Sequence, residues 1–273
     1  MSVLHSLLEY GIAVKSLTLS SVVLRRWLTQ PSARISLLIL VALVALTLLM
    51  PIVSRSDPHR INLEEKLSGP SWAHLLGTDQ YGRDQLVRLA SGGRRTLSAA
   101  LLVLLGTLIC SASIGIAVGM IRGLVDAVVM RVVDVMLAFP SLVLALTVVG
   151  VLGVGFQNLM LALIVSSCAY YIRLARSYVR LARERQDVIV ARLAGVGWLR
   201  IVAGHVVPGV LSQLAVIATL DLGGIIIAIA GLSFLGLGVQ PPQAEWGAML
   251  SDSRLYFSSA PWLFCRGWPF FCR

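Results

Sequence analysis

Long apolar runs, separated by short polar segments rich in arginine, dominate this chain. Residues 35–53 are apolar almost without interruption and predict a first membrane-spanning helix, since about 18 to 20 such residues cross a bilayer. Further spans are predicted over 97–121, 132–153, 158–172 with some upstream extension, and 210–238. Gly115 and Gly119 in the second span form a small-xxx-small pair that lets two helices approach closely. Pro140 predicts a kink in the third. The pattern defines an all-α polytopic membrane bundle with five visible transmembrane helices.

The polar segments orient the bundle. The stretch 173–204 holds Arg173, Arg176, Arg180, Arg183, Arg185, Arg192 and Arg200 against Glu184 and Asp187. The positive-inside rule puts it in the cytoplasm. Counting spans backwards puts 54–96 outside and 1–34 inside, and Lys15, Arg25, Arg26 and Arg34 in that amphipathic tail agree. The predicted organisation is a cytoplasmic tail (1–34), a first helix (35–53), a periplasmic loop (54–96), and a core (97–260) carrying a loop at 187–208, then an aberrant tail (261–273). The N-terminal segment does not read as a cleavable signal peptide, because its apolar run begins only near Ile35.

Composition reinforces this. Hydrophobic residues make up 57% and charged residues 13%, about half the share of a soluble domain. Mean hydropathy is +0.85. The net charge of +10 sits between spans, where topology uses it, so nucleic-acid binding is not predicted. Cys110 and Cys168 lie in apolar runs, Cys265 and Cys272 in the tail, and no spacing among them is that of a metal site. No metal ligands, catalytic residues or cofactor are predicted. No GxxxxGK[ST] loop is present, so energy from ATP has to come from another chain. Neither HExxH nor GxSxG occurs, and His5, His59, His74 and His205 are scattered, which counts against a membrane enzyme. No internal repeat supports an ion-coupled carrier.

Four segments carry candidate function. In the loop 187–208, two short helices hinge at Gly195 and Gly197 and stop at Pro208. Arg192, Leu193, Val196 and Trp198 there form an apolar knob with a basic edge, suited to a groove on a partner; a plain amphipathic surface loop is the alternative. Asp221 is the one acid of the fifth span, so it has to face the bundle or a water-filled path. With Thr219 it is a candidate for the translocation pathway, against helix-to-helix hydrogen bonding. Asp134, one turn from Arg131, is either a third pathway residue or half of an interfacial ion pair. The segment GTDQYGRD, residues 77–84, reads as structured turns.

GTDxxGRD and SFLGLGVQPPxAEWG resemble the permease subunits of ABC importers of the peptide/nickel family, over residues from about 35 to 262. Ala191, Gly195, His205 and Pro208 match the signature loop of that family, with Ile189 at its usually acidic start. The resemblance implies that 187–208, with Ala191, Arg192, Leu193, Gly195, Gly197, Trp198, His205 and Pro208, is a coupling helix receiving motion from an ATPase. It implies alternating access in the bacterial inner membrane. The implied partners are a homologous second permease, two ATP-binding subunits, a periplasmic substrate-binding protein and membrane lipid. VGVLGVGFQN, ARLAGVG, VIATLDLGG and GLSFLGLG look closer to nickel importers than to dipeptide importers, so the expected cargo is nickel or a nickel chelate, with di- or oligopeptide as the alternative.

The family continues with a sixth span opening like FPGLAIFL, whereas this chain reads LFCRGWPFFCR from Leu263. Reverse-translated and read from the last base of the Phe264 codon, the tail can spell LPGLAIFL. Trp268-Pro269 forces the Ala and Phe271-Cys272 forces the final Leu. The expectation is a frameshifted tail, a missing sixth helix, and reduced or absent transport.

Overall fold

The computed structural model describes residues 29–53, 57–121, 123–256 and 258–263. The expectations for the first 28 residues and for the tail from Phe264, with Cys265 and Cys272, lie outside the described residues. The described residues are helical, without strands. The chain divides into two units, Met1–Val53 and Ser54–Arg273.

The first unit presents one helix, α1 (Pro31–Val53), of 23 residues. Proline suits its first position, where the missing N–H has no helical partner to lose. Leu38, Ile39 and Leu49 on α1 are exposed, as a lipid-facing helix requires.

The second unit runs α2 (Gln85–Met120), α3 (Leu124–Leu137), α4 (Ser141–Leu152), α5 (Phe156–Arg183), α6 (Gln186–Leu193) and α7 (Trp198–Ile201). A π-helical turn (Val202–Val206), α8 (Val207–Phe234) and α9 (Trp246–Ser253) follow. By length and apolarity four helices can each cross a membrane, and α3 with α4 makes a fifth span if that bent pair counts as one. Pro140 does more than kink its span: α3 and α4 meet at 98°. Proline removes a backbone donor, clashes with the preceding turn and drives Phe139 out of helical geometry.

α2, α5 and α8 share one core, with Val103, Leu159, Ala175, Leu214 and Ile229 buried in it. The contact of α2 with α5 requires glycine. A Cβ on Gly115 would stand 2.5 Å from that of Ala175, and one on Gly119 would stand 2.8 Å from that of Val179. The small-xxx-small pair thus sets the distance between these helices.

Two predicted boundaries shift by more than ten residues. α2 begins at Gln85, twelve residues before its apolar run, because the Asp84 carboxylate accepts the Leu86 and Val87 amides at 2.8 and 3.1 Å and caps the helix. α5 continues to Arg183, so Arg173, Arg176, Arg180 and Arg183 stand on a helix and not in a loop.

The first turns of α2 carry a cap built from 57–84 and 236–263. Asp79 is buried and accepts the amides of Tyr81 and Arg83, while its other oxygen meets Arg83 Nε at 2.7 Å and Arg88 Nε at 3.3 Å. Thr78 donates to the Glu65 carbonyl and accepts the Ser68 amide. Gly82 has φ +71° and passes so close to the Asn62 carbonyl that no side chain fits. Thr78, Asp79, Arg83 and Asp84 of GTDQYGRD therefore each have a structural partner. The AEWG segment closes the cap from the other side. Glu245, fully buried, accepts the Thr96 hydroxyl at 2.9 Å and the Ala248 amide at 3.0 Å, and Arg95 donates to the Ala244 carbonyl.

His74 clasps this cap. Its Nδ1 lies 2.8 Å from Asp84 Oδ2 and its Nε2 lies 3.2 Å from Glu65 Oε2. Both ring nitrogens face carboxylates, which accept only, so the imidazolium fits best. The Asp84 hydrogen bond, reinforced by Glu65 and opposed by desolvation, raises its pKa above the ordinary 6.5. A raised folded-state pKa means the clasp contributes fully below about pH 6.5 and is lost as pH rises through the folded value. Hydrogen exchange of amides 62–68 and 74–87 should therefore show protection, corrected for intrinsic rates, that falls as pH rises from 6 to 9. His74→Gln should flatten that dependence.

Candidate functional site

The loop after α5 is built as two short helices and a turn. α6 ends at Leu193, Gly195 takes φ +76°, and Gly197 precedes α7. A side chain at Gly195 would be strained in that left-handed conformation, which is why glycine stands there. Val188, Ile201 and Val206 are buried and seat the loop. Trp198 lies between two guanidinium groups, Arg183 at 5.4 Å and Arg192 at 5.5 Å from its ring. Ala191 is half-buried, and His205 and Pro208 are exposed. Leu193 and Leu199 are each 83% exposed, too much apolar surface to leave in water without reason. Pro208 does not stop the second helix, contrary to expectation. It occupies the first turn of α8, where its missing N–H costs nothing, and α7 passes through the π-helical turn into α8.

Carboxylates tie the helix ends together. Asp126 on α3 is buried and holds Arg176 through both its oxygens and Arg180 at 2.7 Å. Arg183 donates to the Gly119 and Met120 carbonyls at 3.3 and 3.1 Å, satisfying acceptors that the end of α2 leaves open. Asp134 is also paired, but with Arg173 of α5 and not with the expected Arg131. The longer reach across helices wins because Arg173 belongs to α5, which packs beside α3.

Midway along α5 lies a cavity of about 800 Å³. Its walls come from the α3–α4 corner, α4, α5 and α8, with Leu142, Leu146, Ile225 and Leu232 among the apolar lining. Tyr171 and Asp221 meet in it, the Tyr171 hydroxyl donating to Asp221 Oδ2 at 2.7 Å. Thr219 does not line this space. It is exposed and returns its hydroxyl to the Val216 carbonyl. Asp134 does not line it either. Of the three predicted pathway residues the structure brings only Asp221 to the cavity. Tyr171 was missed, although a hydroxyl in an apolar run needs a buried partner and so signals one. Among the described residues no group of three or more His, Cys, Asp or Glu side chains is placed to hold a metal ion.

Apolar helices around a lined cavity, with a seated loop at the base of α8, make a multi-pass membrane transport subunit. Residues 111–265 match the family described as the binding-protein-dependent transport system inner membrane component. The chain is 40% identical over 236 residues to a nickel transport system permease of Escherichia coli K12, covering 86% of this chain and 84% of that one. It is 37% identical over 230 residues to a dipeptide transport system permease of Alkalihalophilus pseudofirmus, covering 84% and 76%. It is 37% identical over 240 residues to a metal-staphylopine import system permease of Staphylococcus aureus NCTC 8325, covering 88% and 83%. The chain belongs to the peptide/nickel family of ABC importer permeases. Such chains are transport subunits, and ATP is hydrolysed by other subunits of the importer.

Removing the Asp126 charge tests the tie between α3 and α5. Asp126→Asn leaves two arginines without a carboxylate. The expected cost is up to roughly 3 kcal/mol, reduced because Arg180 is half exposed. The melting temperature of the purified protein in detergent should fall, and Asp126→Glu should restore part of it.

Proposed function

We propose that this chain is one of two homologous permeases in an importer completed by two ATP-binding subunits and a periplasmic substrate-binding protein. Its N-terminus and the loop 187–208 face the cytoplasm of a bacterial cell, and 54–96 faces outward. The loop acts as the coupling helix. The observation that carries this is the pair of leucines, Leu193 and Leu199, each 83% exposed on a loop that buried Val188, Ile201 and Val206 hold in place. The knob suits an apolar groove with an acidic edge, given Arg192 and Arg200 beside it. ATP-driven movement of the loop passes directly into α8, because no break separates α7 from α8. Leu199→Asp should lower ATP-dependent uptake at least about tenfold, since a charge at the centre of a packed contact is poorly tolerated. The amount of permease in the membrane should stay unchanged. Uptake at the wild-type rate would contradict the coupling role.

The cargo proposed is nickel carried as a chelate. The 40% identity to the nickel permease supports it, and so does the absence of a metal-ligand set among the described residues, which favours a metal already wrapped by its own ligands. A dipeptide is the second reading, favoured by the 37% identity to the dipeptide permease and by a carboxylate in the cavity that would meet an amino group equally well. Uptake of radioactive nickel and of a labelled dipeptide, with and without the gene, separates them. Loss of trace nickel entry in the deletion is expected; undiminished nickel entry with loss of dipeptide entry would transfer the assignment.

A further inference from the structure

The cavity between α5 and α8 has an electrostatic imbalance. Asp221 sits within the apolar span that ends at Phe234, and its one hydrogen-bond partner among the described residues is the neutral Tyr171 hydroxyl. The lining contains no Arg, Lys or His. The carboxylates of α3 behave differently: Asp126 holds two arginines and Asp134 holds one. Charge inside an apolar span is costly unless paired, and among the described residues Asp221 has no cation beside it. Phe139 and Tyr170 add aromatic surface to the same space, and aromatic faces accommodate cations.

We infer that Asp221, held in place by the Tyr171 hydroxyl, is the point at which the passing cargo presents its positive charge, so that this permease selects cationic cargo. The inference rests on the cavity being the translocation pathway. A single carboxylate and a phenol offer too few donors for a bare metal ion. The cation therefore brings its own body: an ammonium group on a small organic molecule, or a metal complex with net positive charge. The cavity of about 800 Å³ admits either. Tyr171 is a positioning residue. Its hydroxyl occupies Oδ2 and leaves Oδ1 free to meet the cargo.

The test uses the complete importer in membrane vesicles. Two pairs of probes differ in charge: nickel as its cationic ethylenediamine complex or its anionic citrate complex, and a labelled dipeptide amide with a free or an acetylated amino group. The binding protein acts alike on wild type and variants, so a change in the cationic-to-uncharged or cationic-to-anionic uptake ratio reports the permease. Wild type should prefer the cationic member of a pair. Asp221→Asn should lower that ratio by at least about tenfold, the scale of a lost charge-assisted contact, and Tyr171→Phe by about threefold. Asp221→Glu should keep most of it, which a purely structural role for the carboxylate would not predict. Preference for the anionic or acetylated probes, uptake of no probe, or an unchanged ratio in Asp221→Asn overturns the inference.

The pathway reading is tested separately, after assembly. Gly224 lines the cavity, and a Cβ added there meets nothing within 4 Å. Gly224→Cys should assemble normally and lose uptake once a bulky thiol reagent is attached, with wild type and the same reagent as control. Block at Gly224→Cys with an unchanged ratio in Asp221→Asn means the pathway stands and the cation selection fails. No block means the pathway reading fails and carries the inference down with it.

Discussion

The close approach of α2 and α5 is the constraint on which the remainder of the second unit depends. It exists because Gly115 and Gly119 carry no side chains where Ala175 and Val179 stand. Lipid gives no hydrophobic push to bring helices together, so the attraction comes from close packing and from polar ties. α5 then serves three purposes along its 28 residues. Tyr171 looks into the cavity, Arg173, Arg176 and Arg180 hold the carboxylates of α3, and Arg183 both closes the end of α2 and lies over Trp198. Separating α5 from α2 would displace all three together.

α8 is the complementary element. It begins at the end of the proposed coupling loop and carries Asp221 midway along its length. The Tyr171–Asp221 hydrogen bond therefore bridges a helix fixed on α2 and a helix attached to the loop. On the proposed mechanism this bond lies at the moving joint, and displacement of the loop alters what the cavity offers to cargo. The cap works in the opposite sense. Buried Glu245 and Asp79, through the hydrogen bonds and ion pairs they make, fix the beginning of α2.

Much of this was legible because lipid imposes a simple rule: apolar length reads as a span. The expected spans 35–53 and 210–238 follow from it and fall on the helices at 31–53 and 207–234. Gly195 was legible as a turn glycine and takes φ +76°, and Asp221 was legible as an acid that has to turn away from lipid. What escaped was whatever depended on a partner distant in sequence. The polar start of α2 is helical because Asp84 caps it and Glu245, some 150 residues on, supports it through Thr96. The arginines of 173–183 look like a loop because charge interrupts the apolar run, yet Asp126 and Asp134 neutralise three of them on a continuing helix. Pro208 looked like a stop because proline ends a helix it follows, but it starts the next one just as well.

The most direct test of the account is a pair of spin-label distances in the intact importer, in a cysteine-free background. Leu102 on α2, Leu161 on α5 and Leu220 on α8 are exposed and accept labels. With ATP trapped by hydrolysis-deficient ATPase subunits, the Leu161–Leu220 distance should shift by a few Å, on the order of ordinary helix displacements in such transitions. The Leu102–Leu161 distance should stay fixed. An unchanged Leu161–Leu220 distance, or a shift between α2 and α5 of equal size, would contradict a mechanism in which α8 moves against a rigid α2–α5 pair.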